Sequence, residues 1–537
     1  MKKIIFIIIL LINIFLLSCS NIKLSNEGIV VSVGGMPSSL DPAFAKGINT
    51  AVYITHAFET LTQRDEKGSI IPALAENWES MSNNTVYIFH LRENAKWSDG
   101  KSVTANDFVY TLRRLIDPKV ASPFSLGFDI IKNAQSIMKG EKNLEELGVY
   151  ALDDYTLKIE LDIPLPYFEE AMASDIASPV REDIIETYGE DWALSKDHYI
   201  GNGPYIITEY DEAVKIVMEK NPYYWDKDNV KAEKITFEFL EDVNTAVAAI
   251  YADSILFYPE APENERASLI EQGIGREVDI TSTAYYMVNL KRKPFTNPLV
   301  RKALALGIDR NYIVSNVLGG GRAAANGFVP INVKIGTNNF RDNAPEYFSL
   351  KESDYNKNLE EAKKLLADAG YADIKKFPII ELITTTNPSS LFVAEAIQNM
   401  YKNNLGIDLK LRYEEPTTYL QSIKDGSFQM IKAGTSVAYN QASGYLRLFQ
   451  LDGLGNDGGY TNAVYDYLVD IAMTNANEDI RIKAAYDAER ILIQEDMAII
   501  PIYYDKATIM QSKKLHGVKY DIFSIYDFRN AYISNKE

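Results

Sequence analysis

Between Thr85 and Ile116 the spacing of apolar and polar positions changes period midway, setting out a strand, a turn and a helix. Tyr87, Phe89 and Leu91 fall on one strand face, and Val86, Ile88 and His90 on the other. Asp99-Gly100 supplies a tight-turn dipeptide. Thr104 then stands before a helix as its cap, and Asp107 completes a capping-box-like pair. Phe108, Leu112 and Leu115 recur at helical spacing. Upstream, Ile29–Val33 reads as a strand and Pro37-Ser38-Ser39-Leu40-Asp41-Pro42 as a turn. Residues 48–63 read as a helix presenting Ala51, Ile54, Phe58 and Leu61. Tyr155, Leu157, Ile159 and Leu161 alternate with polar residues, which predicts a strand with one wet face. Another strand falls near Val214–Met218.

From about residue 285 helical and strand periods interleave, as in an α/β body. Asn297-Pro298 places a cap before proline at the first helical position. Leu359, Ala362, Leu366 and Ala369 form a helix face that Gly370 stops. Phe392, Ala396 and Met400 predict the apolar face of the next helix. Ile407, Leu409, Leu411 and Tyr413 alternate as a strand. Phe428–Ala433 reads as a strand, 479–493 as a helix and Ile499–Tyr504 as a buried strand.

The amino end has its own pattern. Lys2 and Lys3 precede the apolar run Ile4–Leu17, broken only by Asn13. That run is too short to span a bilayer and suits a signal peptide over 1–18. Leu16-Leu17-Ser18-Cys19 resembles a bacterial lipobox, with a bulkier residue than usual at Leu17. Cys19 is the sole cysteine, so the expected use is lipid attachment ahead of a polar spacer over 19–28. The alternative is a buried free thiol. The length exceeds what one hydrophobic core serves, which predicts two or more lobes. The formal charge of −19 becomes −21 without Lys2 and Lys3, and argues against nucleic acid or anionic lipid as partners.

Catalytic signatures are missing from the sequence. His56, His90, His198 and His516 show no metal-binding spacing, and neither His-Glu-x-x-His nor Cys-x-x-Cys occurs. His56 reads as a satisfied or surface histidine. Gly319-Gly320-Gly321-Arg322 lacks the Gly-Lys-Ser/Thr ending of a phosphate loop and reads as a turn. Gly-x-Ser-x-Gly is absent, and the carboxylates are scattered. No enzyme, cofactor or metal is expected.

Leu91-Arg92, Lys96-Trp97-Ser98-Asp99-Gly100 and Val103-Thr104-Ala105, followed by Asp107-Phe108-Val109-Tyr110, resemble the signature of the oligopeptide-binding lipoproteins that feed ABC importers, solute-binding protein family 5. Gly201-Asn202-Gly203-Pro204-Tyr205 and Lys220-Asn221-Pro222-Tyr223-Tyr224-Trp225-Asp226 match that family too. The resemblance implies an α/β fold, two-lobed and periplasmic-binding-protein-like (type II/cluster C-like), with an extra α+β domain and a hinge. Lobe I would comprise 29–58, 181–284 and 506–537, the extra domain 59–180 and lobe II 285–505. It further implies a monomeric protein outside the cytoplasmic membrane, periplasmic or at the cell surface, lipid-anchored and serving an ABC permease. An oligopeptide would add as a strand between two backbone segments. The first matches Lys46, Gly47 and Ile48. The second matches Gly434, Thr435 and Ser436, flanked by Lys432, Ala433, Tyr439 and Asn440.

The chain departs from the family pattern Gly-Trp-x-x-Asp-Tyr, whose aspartate grips the peptide's α-amino group. Thr435 stands at the tryptophan position and Ala438 at the aspartate position. Either the ligand has no free amine there or another acid substitutes, because an unpaired charge taken out of water is costly. Lys432 remains available for an anionic group. The resemblance leaves other ligands open on the same fold: a nickel complex, haem, an opine or an oligosaccharide. It also leaves open a surface lipoprotein without a transport role. A second departure is Leu256, where the family carries an acid.

Overall fold

A computed structural model of the chain describes residues 28–534 apart from Ser38, Thr337, Ser436 and Ala438. The leader, Cys19 and nearly all of the spacer lie outside the described residues. None of the described helices is long and apolar enough to cross a membrane.

Three sheets organise the described chain. In the first, Ile29–Val31 runs parallel to Lys234–Glu238, and Lys215–Lys220 and Tyr205–Asp211 continue it antiparallel. The second is antiparallel, in the order Ala75–Met81, Val86–Leu91, Thr156–Glu160, Val149–Asp153. As the alternation predicts, Tyr87, Phe89 and Leu91 are buried while their neighbours stay half-exposed. Helix Ala105–Ile116 starts with the predicted Thr104–Asp107 capping box and buries Phe108, Leu112 and Leu115. The cores of these two sheets merge into one cluster, so the extra domain is fused to its neighbour by packing.

The third sheet runs Phe257–Tyr258, Ile499–Gln511, Gly275–Val288, Met430–Thr435, Ile380–Thr385, Leu409–Glu414. Two strands in it are exceptionally long. Gly275–Val288 and Ile499–Gln511 pair antiparallel, and their register breaks between Asp279 and Thr283. One half of the pair meets Phe257–Tyr258, and Ile509 joins the core of the first sheet. The other half meets Met430–Thr435, and Ala284, Tyr286, Ile500 and Ile502 join a separate core. The pair therefore carries the chain between two bodies and is irregular where it leaves one for the other.

Asn297 caps helix Pro298–Leu306 as expected, accepting from the Leu299 amide at 2.9 Å. Some expectations need correction. The helix read over 48–63 spans only Ile48–Ala57. Phe58 is extended, the Glu59 amide donates to Asn202 Oδ1, and the Ala57 carbonyl accepts from Gly203. A side chain and a loop thus replace the next helical turn. Helix Pro388–Met400 buries Val393, Ala394, Ile397 and Met400, while Phe392 is 49% exposed. This helix carries two adjacent apolar stripes, and contact with the sheet selects the one beside Phe392. Tyr413 is also exposed, because Leu409–Glu414 is the outermost strand. Leu256 is buried in the first core and donates its amide to Val30, so its apolar character serves packing.

The family-like motifs prove to be joints. Trp97 is buried, Ser98 donates its amide to the Gly201 carbonyl at 2.7 Å, and Asp99 pairs with Arg181 at 3.1 Å. A Cβ at Gly201 would come within 2.0 Å of the Ala57 oxygen, so only glycine fits. Asn221 donates to the Gly203 carbonyl, and Tyr224 and Trp225 both donate to the buried Glu59 carboxylate.

Candidate functional site

A cavity of about 440 Å³ opens beside the paired long strands. Pro259, Glu260, Ala261 and Glu263 line it from the loop after Phe257–Tyr258. Thr385, Asn387, Ser389 and Lys432 line it from the opposite body. Asp505 and Lys506 contribute where the chain crosses between the two. Concave space between two bodies joined by a strand pair is where a ligand can touch both. A second cavity of about 430 Å³ lies beside Glu59, Asp527 and Arg529, whose charges already satisfy one another and nearby side chains.

Most charges around the interbody cavity are paired. Arg322 is held by Glu263 and Asp505, each at 2.7 Å. Arg266 pairs with Glu277, and Lys506 with Asp279 at 3.2 Å. Gly319, Gly320 and Gly321 all take positive φ, and a Cβ at Gly321 would strike the Arg266–Glu277 pair. The glycine run is therefore a tight turn that brings Arg322 against the opposite body, in keeping with its reading as a turn.

Lys432 is different. It sits in strand Met430–Thr435, half-buried, and neither an ion pair nor a hydrogen bond holds its ammonium among the described residues. Burial pushes its pKa below the usual 10.5, against the favourable pull of Asp505. Beside it begins helix Pro388–Met400, whose cap Asn387 accepts from the Ser389 amide at 3.1 Å. A half-buried ammonium next to a helix N-terminus makes this end of the cavity attractive to an anion.

The sequence-predicted residues divide into groups. Lys46, Gly47 and Ile48 are exposed at the start of helix Ile48–Ala57. Gly47 has φ +93°, so a left-handed turn already requires glycine there. Gly434 has no such requirement. It is exposed and pairs with Ala284 in the sheet, and an added Cβ would meet only the Thr283 carbonyl at 3.9 Å, so the space above it is open. Lys432 lines the cavity, whereas Ala433 turns into the core behind the sheet. Thr435 continues the strand opposite Thr283, and Ser436 and Ala438 lie outside the described residues.

Tyr439 and Asn440 are placed elsewhere. Asn440 is fully buried, and its amide donates to Glu170 Oε2 at 2.7 Å. Tyr439 lies against Tyr167, with ring centroids 5.7 Å apart. Both therefore meet the segment Tyr167–Glu170 and do not line the cavity between the bodies. Sequence reasoning missed Glu260, Glu263, Arg322 and Asp505. Arg322 followed a conspicuous glycine run, but Glu260 sits in an unremarkable Pro-Glu-Ala-Pro loop.

The family described as bacterial extracellular solute-binding proteins, family 5 Middle, matches residues 69–457. The chain is 35% identical over 471 residues to the periplasmic murein peptide-binding protein MppA of Escherichia coli (strain K12), covering 87% of this chain and 86% of that protein. It is 32% identical over 474 residues to the probable deoxycholate-binding periplasmic protein YgiS of the same strain, covering 87% and 86%. Among solved structures, Haemophilus influenzae OppA in complex with RPPGFSPFR superposes with a TM-score of 0.80 at 32% identity, covering 95% of this chain and 100% of that one. The architecture is that of the two-lobed binding proteins. By motif, length and fold, the chain belongs to the family 5 extracellular solute-binding proteins of ABC importers.

Proposed function

We propose that this protein captures an oligopeptide in the cavity between its two lobes and delivers it to an ABC permease, while Cys19 tethers it by lipid outside the cytoplasmic membrane. Lobe I comprises 29–58, 181–284 and 506–537, the extra domain 59–180 and lobe II 285–505. The two crossings then fall at the irregular pair of long strands. Recognition is not catalysis in this reading: the main chain at 46–48 and 434–436 pairs with the ligand backbone. The supporting observation is the cavity itself, lined from both lobes and holding the Lys432 side chain; Lys46, Gly47, Ile48 and Gly434 are not among the residues that line it. Relatives named for peptide binding, MppA and OppA, agree with it.

A second reading keeps the cavity and changes the solute. It is favoured by the likeness to a protein named for deoxycholate binding, an anion, and by the alanine at 438. Calorimetric titration of ligand-stripped protein with a pool of tri- to pentapeptides separates the two. Saturable binding is expected. Absence of binding to the pool, with binding of a carboxylate such as deoxycholate, would replace the first reading with the second.

A further inference from the structure

We propose that loop 448–456 and helix Ala463–Thr474 form the face on which this protein docks its permease. Leu451, Leu454, Val464 and Tyr467 make an apolar patch inside an acidic rim, fitted to a partner surface that is apolar at its centre and edged with lysine and arginine. This rests on the reading that the protein delivers its ligand to a permease. Single exposed apolar side chains are ordinary, but these four stand on two adjoining elements and are 59–74% exposed. The face is built in advance. Gln450 Nε2 donates to the Asp466 carbonyl at 3.1 Å and to the Asp470 carboxylate at 2.8 Å, which pins the loop to the helix. Asn456 closes the loop on itself, donating to the Gln450 and Tyr460 carbonyls at 3.0 and 2.8 Å. The helix buries Tyr465, Val469, Ala472 and Met473, which leaves Val464 and Tyr467, one turn apart, facing out.

The charge around the patch selects its occupant. Asp452, Asp457 and Asp470 are exposed beside it, and Asp466 is half-buried. The chain places no lysine or arginine between Arg447 and Arg481, and Lys291 approaches one edge, over Gly459. A second copy of this chain would set one acidic rim against another at a formal charge of −19 each, so self-association is disfavoured. A basic-rimmed partner gains both burial and attraction. Position supplies the link to transport. The loop follows directly on helix Ala442–Arg447, in which Arg447 pairs with Asp129 of the opposite body at 3.3 Å and Ser443 shares a hydrogen bond with Tyr167. Tyr445 of the same helix donates to the Thr281 carbonyl at 2.6 Å, within the break in register of the long strands. A partner seated on the loop therefore touches an element whose clasping contacts form only when the two bodies meet, and distinguishes the closed form from the open one.

The test uses cells of the native host deleted for the gene and supplied with wild type, L454E, Y467E or, as a control at an exposed leucine of another sheet, L152E. Uptake of an isotope-labelled pool of tri- to pentapeptides is read beside calorimetric binding of the same pool to each purified protein. All three variants are expected to melt with the wild type and to bind the pool within about twofold of it, because exposed side chains carry little packing. L454E and Y467E are expected to cut the uptake that depends on this protein by about tenfold or more, and L152E to leave it unchanged. Wild-type uptake by L454E and Y467E overturns the inference and leaves the permease reading standing. So does a wild-type dimer, seen by sedimentation, that L454E dissolves, since the patch then belongs to a second copy. Wild type that binds the pool yet adds nothing to uptake overturns the inference and permease delivery together. If the wild type does not bind the pool, a photo-crosslinker at position 454 decides: capture of a permease subunit supports the inference, and no capture overturns it.

Discussion

At the scale of single residues, buried polar groups show what the fold can and cannot tolerate. His56 is fully enclosed, its Nδ1 donating to the Val52 carbonyl at 2.7 Å and its Nε2 accepting from the Phe528 amide at 3.0 Å. The neutral ring thus ties helix Ile48–Ala57 to the carboxy-terminal segment, a structural task that needs no catalysis. Burial lowers its pKa below the ordinary 6.5. The unfolded chain therefore takes up a proton that the folded one refuses. His56 contributes full stability above about pH 6.5, and that contribution shrinks as the pH falls below it. H56L should cost about 1–3 kcal/mol at pH 7.5, since the Phe528 amide loses its acceptor, and should flatten the acid side of the stability curve measured by urea denaturation. Lys432 has the opposite balance. Its half-buried ammonium has no ion pair among the described residues, so K432M should leave the empty protein as stable or more stable, by up to about 1 kcal/mol, while weakening ligand binding. Stability traded against function marks a binding residue more clearly than loss of binding alone.

Elements are positioned by a few joints. Asp41, in the turn before Lys46–Ile48, receives both terminal nitrogens of Arg114 at 2.9 and 2.6 Å and caps the turn through the Ala43 amide. That ion pair fixes the turn ahead of Lys46–Ile48 against helix Ala105–Ile116. D41A would leave Arg114 buried and unpaired, so a loss of about 3–5 kcal/mol is expected, read from denaturant melts. Local signals were legible where one face decides the element: the strand Val86–Leu91, the box at Thr104 and Asp107, and the cap at Asn297. They failed where a distant partner decides. Nothing near Phe58 announces that Asn202 will end its helix, and only the sheet selects the Val393 stripe over the Phe392 one. The site was legible in the same partial way. The motif pointed to Lys432, which does line the cavity, and to Gly434, which does not, whereas Glu260 lines it with no local pattern to mark it. Tyr439 and Asn440 were read as ligand contacts because their neighbours in the motif were, yet packing against Tyr167 and Glu170 claims them.

On the scale of the whole molecule, the extra domain does more than decorate one lobe. Its core is continuous with that of the first sheet, and it reaches across to the other body. Glu170 binds the Asn440 amide and Gln441 Nε2, Asp129 pairs with Arg447 at 3.3 Å, and Lys334 donates to Ser69 at 3.2 Å. Most of these contacts fasten the segment after strand Met430–Thr435. Such a clasp favours the form in which the two bodies touch. E170A removes two of its hydrogen bonds and should shift the ligand-free protein toward a more open shape, seen as a larger radius of gyration in small-angle scattering. Saturating peptide should restore the compact value. Equal radii for E170A and wild type without ligand would show that the clasp does not control closure.

On the proposed reading a peptide lies in the cavity between the lobes. Its most direct test is mass spectrometry of whatever small molecules remain bound to protein purified gently from its native cells. A mixture of short peptides of varied sequence with free termini is the predicted result. One homogeneous non-peptide compound, bound stoichiometrically, would contradict the account.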